Sequence, residues 1–182
     1  MQQNKFYEKN SLEFLNSYPY GRETIILPSG KSVLMPKYFL TFKQWVGAPI
    51  ADMYNNKAVI DFDGEPVFAE LAILRLFQKY GWDGVWVDSY RKVYRIGLPK
   101  QVEPVVLPAE RATIIDSIQG HIGGKWGGCW DVFLWKEDNV LFAESKRNKK
   151  DKIQNTQRKW LEAAIDLGYG SNLLLIEWGL QQ

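Results

Sequence analysis

Residues 130–135 and 140–146 are two runs of strand-like, alternating character, separated by the polar turn formers Lys136-Glu137-Asp138-Asn139. Two such runs joined by a short polar loop read as an antiparallel β-hairpin. Side chains alternate between the faces of a strand, so Val140, Phe142, Glu144 and Lys146 point one way, and Asp131, Phe133 and Trp135 share a face of the partner strand. A four-residue loop pairs Trp135 with Val140, and the same register sets Asp131 opposite Glu144. Their β-carbons would then stand about 5 Å apart. Like charges so placed destabilise a sheet unless something positive sits between them. Few folds accept such a hairpin without a use for it.

The rest of the chain builds an α/β surround. Thr24-Ile25-Ile26-Leu27 and Ser32-Val33-Leu34-Met35 flank Pro28-Ser29-Gly30-Lys31, a small hairpin within an otherwise irregular stretch, residues 1–60. Residues 38–46 are aromatic and suit either a strand or a short helix. Residues 66–80 have helical periodicity, with Pro66 in the first turn and Gly81 as the stop. Val85-Trp86-Val87 reads as a strand, residues 97–110 as an extended connection with three prolines, and residues 111–118 as ambiguous. Ile153 opens a helix that Gly168 closes, and Leu173-Leu174-Leu175-Ile176 is a buried strand. The fold class is α/β (α+β), a mixed central β-sheet flanked by helices. An irregular N-terminal extension, 1–60, packs on a core domain, 61–182.

Two helical positions break the apolar pattern. At about 100° per residue Val67, Leu71, Leu74 and Phe77 line one side of the first helix, and Glu70 falls among them. Gln157 projects from the apolar arc formed by Ile153, Trp160, Ala164 and Leu167. A buried carboxylate or amide is costly without a partner, a metal or a hydrogen bond. The bland alternative is a paired structural glutamate and a satisfied buried amide.

Asp131 and Glu144, with water, suit Mg²⁺ (or Mn²⁺), a hard cation that takes few protein ligands. The chemistry this supports is hydrolysis of a phosphodiester, with Lys146 holding the attacking water and balancing charge. Lys146, Arg147, Lys149, Lys150, Lys152, Arg158 and Lys159 follow one another, opposed only by Asp151, on a chain whose net charge is +2. The remainder is therefore net acidic. Arg147, Lys149, Lys150, Lys152, Arg158 and Lys159 form a candidate surface for a nucleic-acid backbone, set against the plainer reading of a solvated charged loop.

Asp131 followed, after twelve residues, by Glu144-Ser145-Lys146 resembles the D…(D/E)xK signature of the PD-(D/E)XK nuclease superfamily. Asp151-Lys152-Ile153-Gln154-Asn155-Thr156-Gln157, with Trp160-Leu161 and Gly168, resembles the D-(R/K)-(I/L)-x-x-x-Q…W…G segment of its VRR-NUC group. Trp130 stands where the motif has proline, and Ser145 where a hydrophobic residue is usual. The likeness spans residues 66–178. It implies a restriction-endonuclease-like core, with Glu70, Asp131 and Glu144 as metal-site acids, Lys146 as the catalytic lysine and Gln157 as an active-site amide. It also implies a Mg²⁺-dependent nuclease acting on DNA, duplex or branched, with RNA and a homodimer left open.

Gly120, Gly123, Gly124, Gly127 and Gly128 are not a phosphate-binding P-loop, because Lys125 is followed by Trp126 rather than Ser or Thr. They read as a loop leading into a strand. One cysteine, Cys129, and one histidine, His121, exclude a disulfide framework and thiolate-rich or histidine-clustered metal sites. No apolar run approaches the roughly 18 residues of a membrane span, and residues 1–13 carry no secretory signal. A cytoplasmic protein without a membrane partner is expected. Eight Trp add a possible set of stacking platforms for unpaired bases. The rival readings are a catalytically silent nucleic-acid-binding module of the same fold, and a protein whose basic loop meets an acidic partner.

Overall fold

The computed structural model describes residues 9–51, Tyr54 and residues 57–181. Strands β1 (Tyr20–Ile26) and β2 (Ser32–Gln44) form the expected hairpin, Ile26 facing Ser32, with Gly30 in the left-handed region at the turn. The aromatic residues after Met35 resolve as strand. β2 continues through Pro36 to Gln44, burying Leu40 and Phe42 on alternate positions. Much of the stretch expected to be irregular is therefore sheet. Pro36, a residue that usually ends strands, hid that continuity.

Two short strands follow, β3 (Ile60–Phe62) and β4 (Glu65–Val67), then helix α1 (Ala69–Gln78). Pro66 is not in the first helical turn; it faces Asp61 in β4 at the margin of the sheet, where a missing N–H is tolerated. The helix begins three residues later. Strands β5 (Asp83–Asp88) and β6 (Val93–Arg95) lead to helix α2 (Ala109–His121). Only Ile115, Ile118 and Gln119 of α2 are buried, which is why its periodicity was ambiguous in sequence.

Strands β7 (Val132–Lys136) and β8 (Asn139–Arg147) have the predicted register, Trp135 opposite Val140. The loop is tighter than expected, because Lys136 pairs with Asn139 and Glu137 turns through the left-handed region. Helix α3 (Asn155–Asp166) ends before Gly168 at φ 91°, and strand β9 (Leu173–Leu180) follows.

The described strands form a nine-stranded mixed sheet in the order β4-β3-β2-β9-β8-β7-β5-β6, with β1 on β2. β9 lies between β2 and β8, parallel to both. Strands buried on both faces read as continuous apolar runs, as Leu173-Leu174-Leu175-Ile176 does. On one face α1 packs Leu71, Leu74 and Phe77 onto Val132, Leu134, Leu141 and Ala143. On the other, α2 and α3 bring Ile115, Trp160 and Leu161 onto Phe133 and Phe142. Those two phenylalanines stack across the hairpin at 4.6 Å, a contact worth about 0.5–1.5 kcal/mol beyond burial. Trp82, Trp86, Trp130, Trp160 and Trp178 are buried in these layers and serve packing, while Trp45, Trp126 and Trp135 are half-buried. Among the described residues no helix is long and apolar enough to cross a membrane.

Candidate active site

The β7–β8 ladder ends at Val132 opposite Ala143, and one step beyond it lie Asp131 and Glu144. The Asp131 carbonyl is engaged by β5, accepting the Val87 N–H at 2.8 Å. Its carboxylate Oδ2 accepts the Ser145 N–H at 3.0 Å, which ties it to β8. Glu144 is completely buried, one strand in from β7 and backed by β9. Its Oε1 accepts hydrogen bonds from the Lys146 ammonium at 2.6 Å and from the Gln157 amide. Its Oε2 is buried and receives none.

Burial, then the charge of Glu70, raises the Asp131 carboxyl to about 6. Burial, then the charge of Asp131, pushes Glu144 well above the ordinary glutamate range, and Asp131 accepts a hydrogen bond when Glu144 keeps its proton. Two acids pressed together share their protons in this way. Burial alone would lower Lys146, but the charge and hydrogen bond of Glu144 override it and its pKa rises. Lys146 is an ammonium rather than a neutral base.

Gln157 connects the layers. From the first turn of α3 its Nε2 donates to Glu144, while its Oε1 accepts from Lys146 at 3.1 Å and from the Gln154 N–H at 2.8 Å. One amide thus holds the carboxylate, the ammonium and the start of its own helix. The structure brings Asp131, Glu144, Lys146 and Gln157 together.

Glu70 arrives from the opposite helical layer. It is buried in the first turn of α1, with Oε1 held by the Lys57 ammonium and Oε2 buried without a partner. Burial would lower Lys57, but Glu70 and then Asp131 raise it. The ammonium also faces the Trp86 ring, 5.1 Å from its centroid. Sequence reasoning missed Lys57, because a lysine in an irregular polar segment violates no pattern. It missed Asp88 as well, a buried acid closing β5, which accepts from Arg95 Nε at 2.8 Å and Tyr54 Oη at 2.6 Å. A charge at the end of the run Val85-Trp86-Val87 was the available signal.

Of the expected backbone-binding residues, Lys149, Lys150, Lys152 and Lys159 are exposed. Arg147 lies over the Trp178 ring at 5.4 Å, and Arg158 is half-buried. Lys152, Arg158 and Lys146 line a cleft of about 280 Å³ together with Lys37 and three acids. A larger cleft, about 580 Å³, opens on the other side onto Asp131, Lys57 and Arg91. His121 stands 3.6 Å from Asp166 and apart from the acid pair, while the thiol of Cys129 is buried and pushed up by that burial.

Among the described residues no group of three or more His, Cys, Asp or Glu side chains is placed to hold a metal ion. The acids come instead as the Asp131–Glu144 pair, with Glu70 turned to Lys57. The pair nonetheless has the donor chemistry for a hard divalent cation. It offers carboxylate oxygens only, one of them buried without a partner, under strong mutual repulsion. No family model, no curated protein and no solved structure matches the chain.

Proposed function

We propose that the chain is a metal-dependent nuclease hydrolysing phosphodiester bonds of DNA, built on a restriction-endonuclease-like core. The observation that carries this reading is the Asp131–Glu144 carboxyl pair, half-buried at Asp131 and fully buried at Glu144, with the Lys146 ammonium on Glu144. Asp131 and Glu144 would hold Mg²⁺ or Mn²⁺. The chemistry such an ion would supply there is neutralisation of a phosphate oxygen and a lowered pKa for the attacking water. Lys146 keeps its proton, so its role is to donate hydrogen bonds to the water and to charge building on the phosphate. Gln157 fixes the direction of both Glu144 and Lys146 and is a positioning residue. The exposed lysines 149, 150 and 152, with Lys159, would seat the backbone on either side of the scissile bond.

A specific observation also favours the catalytically silent binding module. Glu144 has Lys146 and Glu70 has Lys57, so neither acid lacks a positive neighbour. Cleavage of labelled duplex, branched and single-stranded DNA with Mg²⁺ or Mn²⁺ separates the two. The nuclease reading expects divalent-dependent cutting by the wild type that Asp131→Ala and Glu144→Ala abolish while DNA binding persists. Binding without cutting under every divalent condition would leave the silent module.

A further inference from the structure

Lys57 and Asp131 line one cleft, and Lys146 lines another. The Lys57 ammonium touches Glu70 Oε1, and the charge of Asp131 acts on it next. The Trp86 and Phe68 rings flank it at 5.1 and 5.8 Å from their centroids, an arrangement that holds a cation in place. Asp88 also lies near, but Arg95 and Tyr54 already satisfy it. The acids that Lys57 serves are therefore Glu70 and Asp131. Glu70 keeps a second oxygen, Oε2, buried with no partner.

Hydrolytic centres with two metal ions set them about 3.5–4 Å apart, sharing a carboxylate. Here Asp131 is the acid common to both sides: Glu144 and Lys146 lie on one, Glu70 and Lys57 on the other. On the proposed nuclease reading, we infer that Lys57 is the built-in second cation of this centre. Its ammonium sits on Glu70 in the cleft that Asp131 also lines, where a second divalent ion would have to bind, so the site accepts one ion, at Asp131 and Glu144. A divalent ion added beside that ammonium would meet a like charge at close range, where the repulsion is largest. Removing the ammonium frees both Glu70 oxygens and the far side of Asp131, an all-oxygen set suited to a hard cation.

The experiment is Mn²⁺ titration of the full chain, by calorimetry and by the free-Mn²⁺ electron paramagnetic resonance signal. The samples are wild type, Lys57→Met, Lys57→Ala and Lys57→Arg, with circular dichroism confirming that each is folded. Lys57→Met keeps the stem packed on Trp86 and is read first, with Lys57→Ala as the second neutral variant. The expected result is one Mn²⁺ per chain for wild type and Lys57→Arg, rising to two for the neutral variants. Adding Glu70→Gln to Lys57→Met should return the count to one. A count of one for folded neutral variants would overturn the inference and leave Lys57 as a tether for Glu70. Two ions in the wild type would overturn it as well. Wild type and neutral variants binding none would instead remove the metal site on which the proposed function rests.

Discussion

Asp131 and Glu144 are held in a state that costs the fold stability. The Asp131 carboxyl is raised to about 6 from an ordinary 3.8, so the folded chain binds that proton more tightly than the unfolded chain. Below about pH 4 both states are protonated and nothing is lost. Stability then falls as pH rises through the interval to about 6, by on the order of 2–3 kcal/mol at about 1.4 kcal/mol per unit. Glu144 shifts in the same direction and adds to the loss. Asp131→Asn keeps an oxygen for the Ser145 N–H and removes the repulsion. In metal-free urea melts it should exceed wild type by about 1–3 kcal/mol at pH 7.5, with the gap closing near pH 4. Lys146→Met should lower cleavage by about 10²–10³, the usual effect of losing one charge-stabilising donor, with little change in DNA affinity by fluorescence anisotropy. At this scale the sequence was legible where a polar residue stood in an apolar repeat: Glu70, Asp131, Glu144 and Gln157 all came to light that way. Lys57 did not, since nothing around it has a period to violate.

Among the elements, the glycine-rich connection between α2 and β7 has a definite job. Gly128 adopts φ 92°, and a β-carbon there would lie 2.3 Å from the carbonyl carbon and oxygen of Thr156, in the first turn of α3. The loop therefore packs directly against the residue that precedes Gln157. Gly128→Ala should destabilise the protein by about 2–4 kcal/mol through backbone clash and strain, and it should reduce cleavage by displacing Gln157. Gly120, near the end of α2, has open space where its β-carbon would be. Gly120→Ala should instead stabilise by about 0.5–1 kcal/mol with activity retained. Thermal and urea melts of the pair check both signs. Elements were legible where periodicity and turn chemistry agreed, as in the β7–β8 register and the stop at Gly168. They were not where one residue carried two meanings. Pro66 suits a helix start as well as a marginal strand, and only the pairing with Asp61 decides between them.

For the molecule as a whole, charge placement sets the expected behaviour. Lys149, Lys150 and Lys152 are exposed just after β8 on a chain of net charge +2. Each phosphate contact contributes about 0.9 to the slope of log affinity against log salt. Lys149→Ala/Lys150→Ala/Lys152→Ala should therefore reduce that slope by about 2–3 and weaken binding to all sequences alike. Divalent ions should stabilise the native chain by about 2.7 kcal/mol at a hundred times their dissociation constant. A scanning calorimetry series in Mg²⁺ measures this, and the effect should vanish in Asp131→Ala/Glu144→Ala. The mixed α/β sheet was legible at this scale from the order of elements. The place of β2 inside it was not, because parallel pairing with β9 joins residues far apart in sequence and leaves no local trace.

That pairing shapes how the molecule comes into being. Among the described strands β9 alone pairs with both β2 and β8, so the sheet is continuous only once residues 173–180 insert between them. Contacts closing such long loops form late and slowly. Without β9, Glu144 would sit on a strand paired only with β7. On the nuclease reading, a half-made chain could not cut: the blade is assembled only when the last strand slides home.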